Sequence, residues 1–443
     1  MNTDLVKYRI ASDLLISYFE RLENQNIDYA VLRNHEGLPD FNSSKDVDLL
    51  FNTSDIRIAK NLALDIAENL GYKCIWKNPL DYLEGLVFVK QRNNTIYSVK
   101  LDLFNGLKWR GFTYCDSHRI LKNRLSKNVQ ILDSIDESII MICYYSLYAK
   151  YIRVKYRENL LVAIESENFS FRFMQLTGLI WEECELNTDQ NWKDLCQHLR
   201  IRFKRKFALS LREYSGFIRS AWLEYVTRSR FGTFLTVSGF DGCGKSSLLD
   251  SLIRELYSLG ICDREIPDHL LSERVPAPHQ LFKRTKRRAE SSYDKPYSSG
   301  EVGYIQSFVR FVYYFLAFSI DRLLRFWRMR RNTVVIYDRY VIDFLVDTTR
   351  FRIRNNLWIG RLFRFFIKNK HIKIVVLVDP GVSVERKNEL TIEKAESLYS
   401  SYLEKAAIFP GTVVFFNNSD IKTSIMNFNN LVFEALENYY ESV

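Results

Sequence analysis

Apolar positions along the chain follow two different periods, and the changes between them mark its organisation. Residues 4–24 repeat apolar side chains at helical spacing, and "DYAVLRN" (28–34) then reads as a strand. A polar stretch rich in Pro, Asn and Ser (36–45) leads into "DVDLLF" (46–51), which alternates as a strand does. A helix is expected over about 55–70, closed by Gly71, with strands at 86–91 and 96–104. From 134 to 230 the spacing is helical and strand signal is nearly absent.

At Gly232 the period changes again. "TFLTVSG" (233–239) reads as a short buried strand, and the helix after it carries Leu248, Leu249, Leu252, Ile253, Leu256 and Leu259 as its apolar stripe. Gly260 is a natural stop. Further strands at 333–337, 372–378 and 412–416 are separated by helical segments, an alternation that predicts a parallel sheet covered on both faces. The expectation is an α/β protein in three parts: an α+β unit (1–125), a helical extension or connector (126–230) and a parallel-sheet unit (231–443). The basic, then Ser-, Tyr- and Gly-rich stretch 283–303 is the expected mobile loop, and no internal repeat is present.

Composition narrows the class. With 443 residues, 47% apolar and 26% charged, the chain is long enough for several buried cores. Its seven cysteines include no C-x-x-C pair, which speaks against a disulfide framework or zinc site and for a reducing cytosol. The first twenty residues have no secretion-signal pattern, and "FVYYFLAFSI" (311–320) is half the length of a spanning helix, so a cytoplasmic protein is expected. The formal charge of +10 is concentrated in "RIRFKRK" (200–206), "KRTKRR" (283–288), "RLLRFWRMRR" (322–331) and "RFRIRNN" (350–356). These runs are either solvated helix faces or contacts for anionic partners. Aromatic residues interleaved with Arg in 322–331 favour peripheral contact with the inner membrane face. No nucleic-acid module is recognisable, and nothing indicates an oligomeric state.

The strongest chemistry lies in "GFDGCGKSS" (239–247), which fits G-x-x-x-x-G-K-[ST]. Gly239, Gly242, Cys243 and Gly244 supply backbone N–H groups that curl around an anion, and the helix opening at Lys245, Ser246 and Ser247 points its N-terminus at it. Lys245 is expected on the β- and γ-phosphates of ATP, and Ser246 on Mg²⁺. The strand "VVIY" ends in Asp338-Arg339-Tyr340, with Asp338 expected as a further Mg²⁺ contact and Arg339 as a neutraliser of transferring charge. Asp343, Asp347 and Arg350 share one face if they lie on a helix. Carboxylates there suit a hydroxyl acceptor with Asp343 as base, whereas an ordinary Asp–Arg surface pair accounts for them equally well.

The loop, the "DRY" and "VVLVDPGVSVERK" (375–387) resemble thymidylate kinase over roughly residues 232–443. The resemblance implies a P-loop kinase with Asp241 facing the acceptor, phosphates and metal handled by Lys245, Ser246, Asp338 and Arg339, and Arg386 and Lys387 at the base of a lid. It also makes Asp321 and Arg322 of "FSIDRLLRF" substrate-side candidates. The chain departs from that family in having "REIP" (264–267) in place of an R-E-P-G turn. Gly242 and Cys243 stand where the family's loop arginine can stand, and the lid (385–396) is short, offering only Arg386, Lys387 and Lys394. The Asp343, Asp347, Arg350 pattern is similar to thymidylate-kinase-like proteins found with bacterial surface-polysaccharide enzymes.

In the N-terminal part, Asp46 and Asp48 lie at i and i+2 on a strand, so their carboxylates face one way, and Asp102 of "VKLDLF" offers a third. Three carboxylates on adjacent strands can hold divalent metal. The arrangement resembles the nucleotidyltransferase fold, although Arg33 and Asn34 stand where that fold has a Gly-Ser turn. The histidines, His35 included, have no ligand spacing and are expected to be structural. The leading expectation is ATP- and Mg²⁺-dependent phosphoryl transfer to a nucleoside monophosphate such as dTMP. The alternatives are a hydroxyl acceptor on a sugar or lipid-linked glycan, nucleotidyl transfer, or a non-catalytic nucleotide-binding regulator.

Overall fold

The computed structural model describes residues 7–40, 46–208, 211–270, 303–329, 333–348, 350–351, 353, 371–387 and 390–442. The stretch 283–303, apart from Gly303, the run 283–288 and most of 350–356 lie outside the described residues. The chain divides into two compact units, one of residues 8–227 and one that includes 228–443.

The first unit opens with β1 (Lys7–Ile10), α1 (Ser12–Asn24), β2 (Tyr29–Val31), β3 (Asp46–Phe51) and α2 (Ile56–Asn69). The helix expected from residue 4 starts only at Ser12, because Lys7–Ile10 is a strand paired with the sheet. Helix α1 buries Leu14, Leu15, Tyr18, Phe19 and Leu22, and α2 buries Ala59, Leu62, Ala63, Ile66 and Ala67. Each is a one-sided stripe that has to be covered by the sheet. Strands β4 (Lys73–Pro79), β5 (Leu83–Arg92) and β6 (Thr95–Phe104) follow, then a β7–β8 hairpin (Leu107–Trp109, Phe112–Cys115), α3 (Ser117–Lys122), β9 (Leu125–Ser126) and β10 (Gln130–Ile131). The sheet runs β4-β5-β6-β3-β2-β10-β9. Strand β4 escapes the sequence pattern because "KCIWKNP" is only half-buried and does not alternate.

Among the described residues, five helices and a π-helical turn follow in this unit: α4 (Ser134–Tyr144), the turn Tyr145–Ala149, α5 (Val154–Ile164), α6 (Phe169–Thr177), α7 (Asp189–Ala208) and α8 (Leu211–Phe231), the last running into the second unit. Their core (Ile139, Phe169, Phe173, Trp192, Phe203, Phe207) is continuous with Trp109 and Phe112 of the hairpin. The region expected as a helical extension therefore shares one core with the strands before it.

The second unit holds β11 (Thr233–Ser238), α9 (Lys245–Ser258), β12 (Asp268–His269), α10 (Tyr304–Met329), β13 (Val334–Asp338) and α11 (Val341–Val346). It continues with β14 (His371–Leu377), α12 (Pro380–Arg386), α13 (Ile392–Ile408), β15 (Thr412–Phe416) and α14 (Ile421–Ser442). Its sheet is wholly parallel, ordered β12-β13-β11-β14-β15. Phe234, Val335 and Tyr337 pack with Phe311 and Phe318 of α10 on one face, while the alternate residues Leu235, Val237 and Ile336 are equally buried on the other. Parallel connections return every strand in the same direction, so all carboxyl ends open on one rim. That rim is where the phosphate loop lies.

Candidate functional site

The loop joins the central strand β11 to α9. Gly239 sits at φ 151°, and a Cβ there would collide with the Val376 carbonyl of the neighbouring β14; Gly242, at φ 85°, would press a Cβ to 2.6 Å from Ser383 O. Only glycine fits these two places. Lys245 is buried, and its ammonium donates to Gly239 O (2.8 Å) and Phe240 O (3.1 Å) and lies 3.6 Å from Cys243 Sγ. The cation is thus held inside the curl of the loop. Ser246 and Ser247 are exposed on the first turn of α9. Arg386, at the end of α12, stands near Gly244, with Nη1 3.7 Å from where a Cβ would be.

Asp338 ends β13, beside β11. Its Oδ1 is buried without a hydrogen-bond partner among the described residues, and its other oxygen lies 3.5 Å from His269 Nδ1. Burial would raise this carboxyl's pKa, but His269, Lys245 and Arg339 outweigh it and hold the pKa below the usual value. A hydroxyl at a helix N-terminus and an unpartnered carboxylate on the adjacent strand fit Mg²⁺, which prefers hard oxygen ligands and retains water.

Arg339 adopts φ 70°, a region long side chains seldom enter, and its amide donates to Val237 O at 2.9 Å. Its guanidinium donates to Gly239 O (3.0 Å), Asp241 Oδ1 (2.5 Å) and Asp343 Oδ1 (3.3 Å). Arg350 donates to the other oxygen of Asp241 at 2.7 Å. Burial opposes ionisation of Asp241, yet Arg339, Arg350 and Lys245 together lower its pKa.

Asp343 is placed differently from the expectation of a helix face shared with Asp347 and Arg350. Helix α11 stops at Val346, and Asp347 at its C-cap has left helical geometry (φ −111°, ψ 63°). Asp343 turns inward, accepting from Gly239 N–H (3.2 Å), Tyr340 N–H (3.1 Å), Tyr402 Oη (2.7 Å) and Arg339. Three of these donors converge on Oδ1 and one on Oδ2, so this buried carboxylate anchors the loop.

Two residues of this rim were not singled out by their pattern. His269 ends β12 beside Asp338, although the histidines were expected to be structural, and Asn417, directly after β15, donates to Cys243 O at 2.8 Å. A polar residue just past a parallel strand is itself the signal that finds Asn417. Asp321 is fully buried beneath the sheet, where it accepts from Tyr337 Oη at 2.6 Å.

The N-terminal carboxylates also converge. Strands β3 and β6 are parallel neighbours with Asp48 opposite Asp102, and oxygens of Asp46, Asp48 and Asp102 lie within 4.8 Å of one another. Arg33 Nε donates to Asp48 at 2.5 Å. Lys100 Nζ donates to Asp102 at 2.6 Å and to Asp46 at 3.4 Å. Burial raises the Asp102 carboxyl to about 7 in spite of Lys100, and Asp46 and Asp48 push the same way. A cavity of about 200 Å³ opens beside Asp48 and Asp102, walled by Tyr82, Tyr114, Tyr144 and Tyr148. Glu137 lines it too, its carboxyl lifted to about 7 by burial and by Glu36 against the pull of Arg33.

The basic runs are partly spent inside the protein. Arg325 is buried over the rings of Phe234 (3.8 Å) and Tyr340 (4.8 Å). Arg328 is held by Asp263 and Asp268. In the 200–206 run, Lys206 donates to Thr177 O at 2.6 Å and Arg202 pairs with Glu182 at 3.0 Å. No helix among the described residues is long and apolar enough to cross a membrane.

No family model matches the chain, and no curated protein matches it. Among solved structures it is similar to the thymidylate kinase of Ehrlichia chaffeensis, with 14% identity over 45% of this chain and 97% of that one, at a TM-score of 0.30. Function has to be read from the site's own residues.

Proposed function

We propose that the second unit is a phosphotransferase that moves the γ-phosphoryl group of ATP, with Mg²⁺, to a phosphate-bearing acceptor such as a nucleoside monophosphate. The observation that carries this reading is the strand–loop–helix of β11 and α9 with Lys245 inside its curl and the unpartnered Asp338 oxygen on the next strand. When bound, Mg²⁺ neutralises charge on the β- and γ-phosphates. Lys245 exchanges two loop carbonyls for phosphate oxygens, a stronger charge-assisted contact. Asp343 keeps Gly239 and Arg339 in place while that exchange occurs.

Two guanidinium groups, of Arg339 and Arg350, meet on the single carboxylate of Asp241. Phosphorylating a phosphate requires positive charge around the acceptor, and this pair supplies it: an acceptor phosphate draws Arg350 from Asp241. The hydroxyl-acceptor reading loses support because its base, Asp343, is buried and turned inward to hold Gly239, Tyr402 and Arg339.

The test is the purified full-length chain with ATP and Mg²⁺, assayed for ADP formation against dTMP, other nucleoside monophosphates and extracted glycans. Turnover on the order of 1–10³ s⁻¹ with a monophosphate, abolished by Lys245→Ala, is expected. Turnover with glycans alone overturns the acceptor class, and ATP consumption that survives Lys245→Ala overturns the kinase.

A further inference from the structure

The Asp46, Asp48 and Asp102 cluster has the spacing of a divalent-metal site, but Lys100 and Arg33 bond to its carboxylates, leaving Asp102 Oδ1 as a buried oxygen with no hydrogen-bond partner among the described residues. Lys100 precedes Asp102 by two residues on β6, so the strand's period puts both on one face. The ammonium then bridges Asp102 and Asp46 across the parallel β3–β6 pair, and it lies 5.9 Å from the centre of the Trp76 ring. Its side chain is 17% exposed, and the surrounding carboxylates push its pKa up against the effect of burial. Arg33 closes the third carboxylate, Asp48, and its guanidinium stands 6.0 Å from the Tyr144 ring centre.

The charges decide what the cluster can take. Three carboxylates meet two fixed monocations, which leaves at most one negative charge uncompensated. A divalent ion entering as well would have to displace Lys100 into the protein or share its oxygens at repulsive distance, and an ammonium driven from a carboxylate inside a protein is costly. A triphosphate would find little free positive charge, since Arg33 is engaged with Asp48 and, of the described cavity-lining residues, only Lys108 is a further cation.

We propose that Lys100 is the resident cation of this cluster, and that the tyrosine-walled cavity beside it takes an uncharged, hydroxyl-bearing ring ligand without divalent metal. Ring faces stack on tyrosine, and the carboxylates accept from hydroxyls.

The probe is Mn²⁺ alone, titrated into the full-length protein without nucleotide and followed by electron paramagnetic resonance. The wild-type protein and Asp46→Asn are expected to take up Mn²⁺ identically. Lys100→Met, its fold checked by thermal melting, is expected to gain a site at least tenfold tighter than any in the wild type, and Lys100→Met with Asp48→Asn to lose it. Wild-type uptake that Asp46→Asn removes overturns the proposal, and this comparison needs no lysine variant to fold. A correctly folded Lys100→Met chain that gains nothing overturns it equally. In a Lys245→Ala chain, ATP with Mn²⁺ is expected to show no site sensitive to Asp46→Asn; such a site overturns the ligand class. None of these results depends on whether the second unit transfers phosphate.

Discussion

Both units gather carboxylates on neighbouring parallel strands, and they differ in what stands beside them. In the second unit, Asp338 keeps one oxygen buried and unpartnered among the described residues, while His269, Lys245 and Arg339 lower its pKa. In the first unit, Lys100 and Arg33 bond directly to all three carboxylates, and burial still lifts Asp102 to about 7. Each keeps one carboxylate oxygen buried without a hydrogen-bond partner among the described residues, Asp338 Oδ1 and Asp102 Oδ1; what differs is that Lys100 and Arg33 already bond to the carboxylates of the first unit. The identity of the acidic residues is nearly the same; their partners set the chemistry.

The comparison breaks first at Lys245. Lys245→Ala is expected to lower phosphoryl transfer on the order of 10³-fold, as loss of a preorganised charge at the transferring group does. The melting of the first unit should not change; a parallel loss there would mean that the two sites are not independent. Asp343→Asn comes next. It removes the negative charge paired with buried Arg339 and sets an amide donor where the carboxylate accepts, and about 3 kcal/mol of stability should be lost in denaturant titrations of the second unit. Arg350→Ala should raise the acceptor KM roughly tenfold with little change in that for ATP, which is the split expected of a side chain that binds only the acceptor.

The smallest effect lies in the first unit and depends on pH. Glu137 is raised to about 7 by burial and by Glu36, so it holds its proton in the folded state at pH values where the unfolded chain has released it. Its contribution is therefore favourable at low pH and declines as pH rises through the unfolded value towards 7. Glu137→Gln should leave melting near pH 4 unchanged and raise it modestly at pH 8. Equal melting of the two proteins at every pH would remove the inferred burial of that carboxyl.

Much of this was legible in the chain, for reasons tied to local pattern. The loop reads directly because its glycines, Lys245 and Ser246 are contiguous and sit between a buried strand and an amphipathic helix. Asp338 reads from its place at a strand end. The D-x-D of Asp46 and Asp48 reads from the period of two, but its register with Asp102 depends on which strands become neighbours. Lys100 was in plain sight, on the same strand face as Asp102. Its meaning appears only when Asp46 is brought across from β3. His269 and Tyr402 had no local signal, because each reaches its carboxylate through strand order and helix packing. The helix face expected for Asp343, Asp347 and Arg350 failed because periodicity says nothing of where a six-residue helix ends.

The difference between Asp338 and the cation-paired carboxylates of the first unit can be counted. Mn²⁺ bound per chain is measured in the presence of a non-hydrolysable ATP analogue, in the wild type, Asp338→Asn and Asp46→Asn. The prediction is nucleotide-dependent Mn²⁺ that Asp338→Asn weakens by roughly tenfold or more and that Asp46→Asn leaves untouched. Mn²⁺ that survives Asp338→Asn but is lost with Asp46→Asn would contradict it.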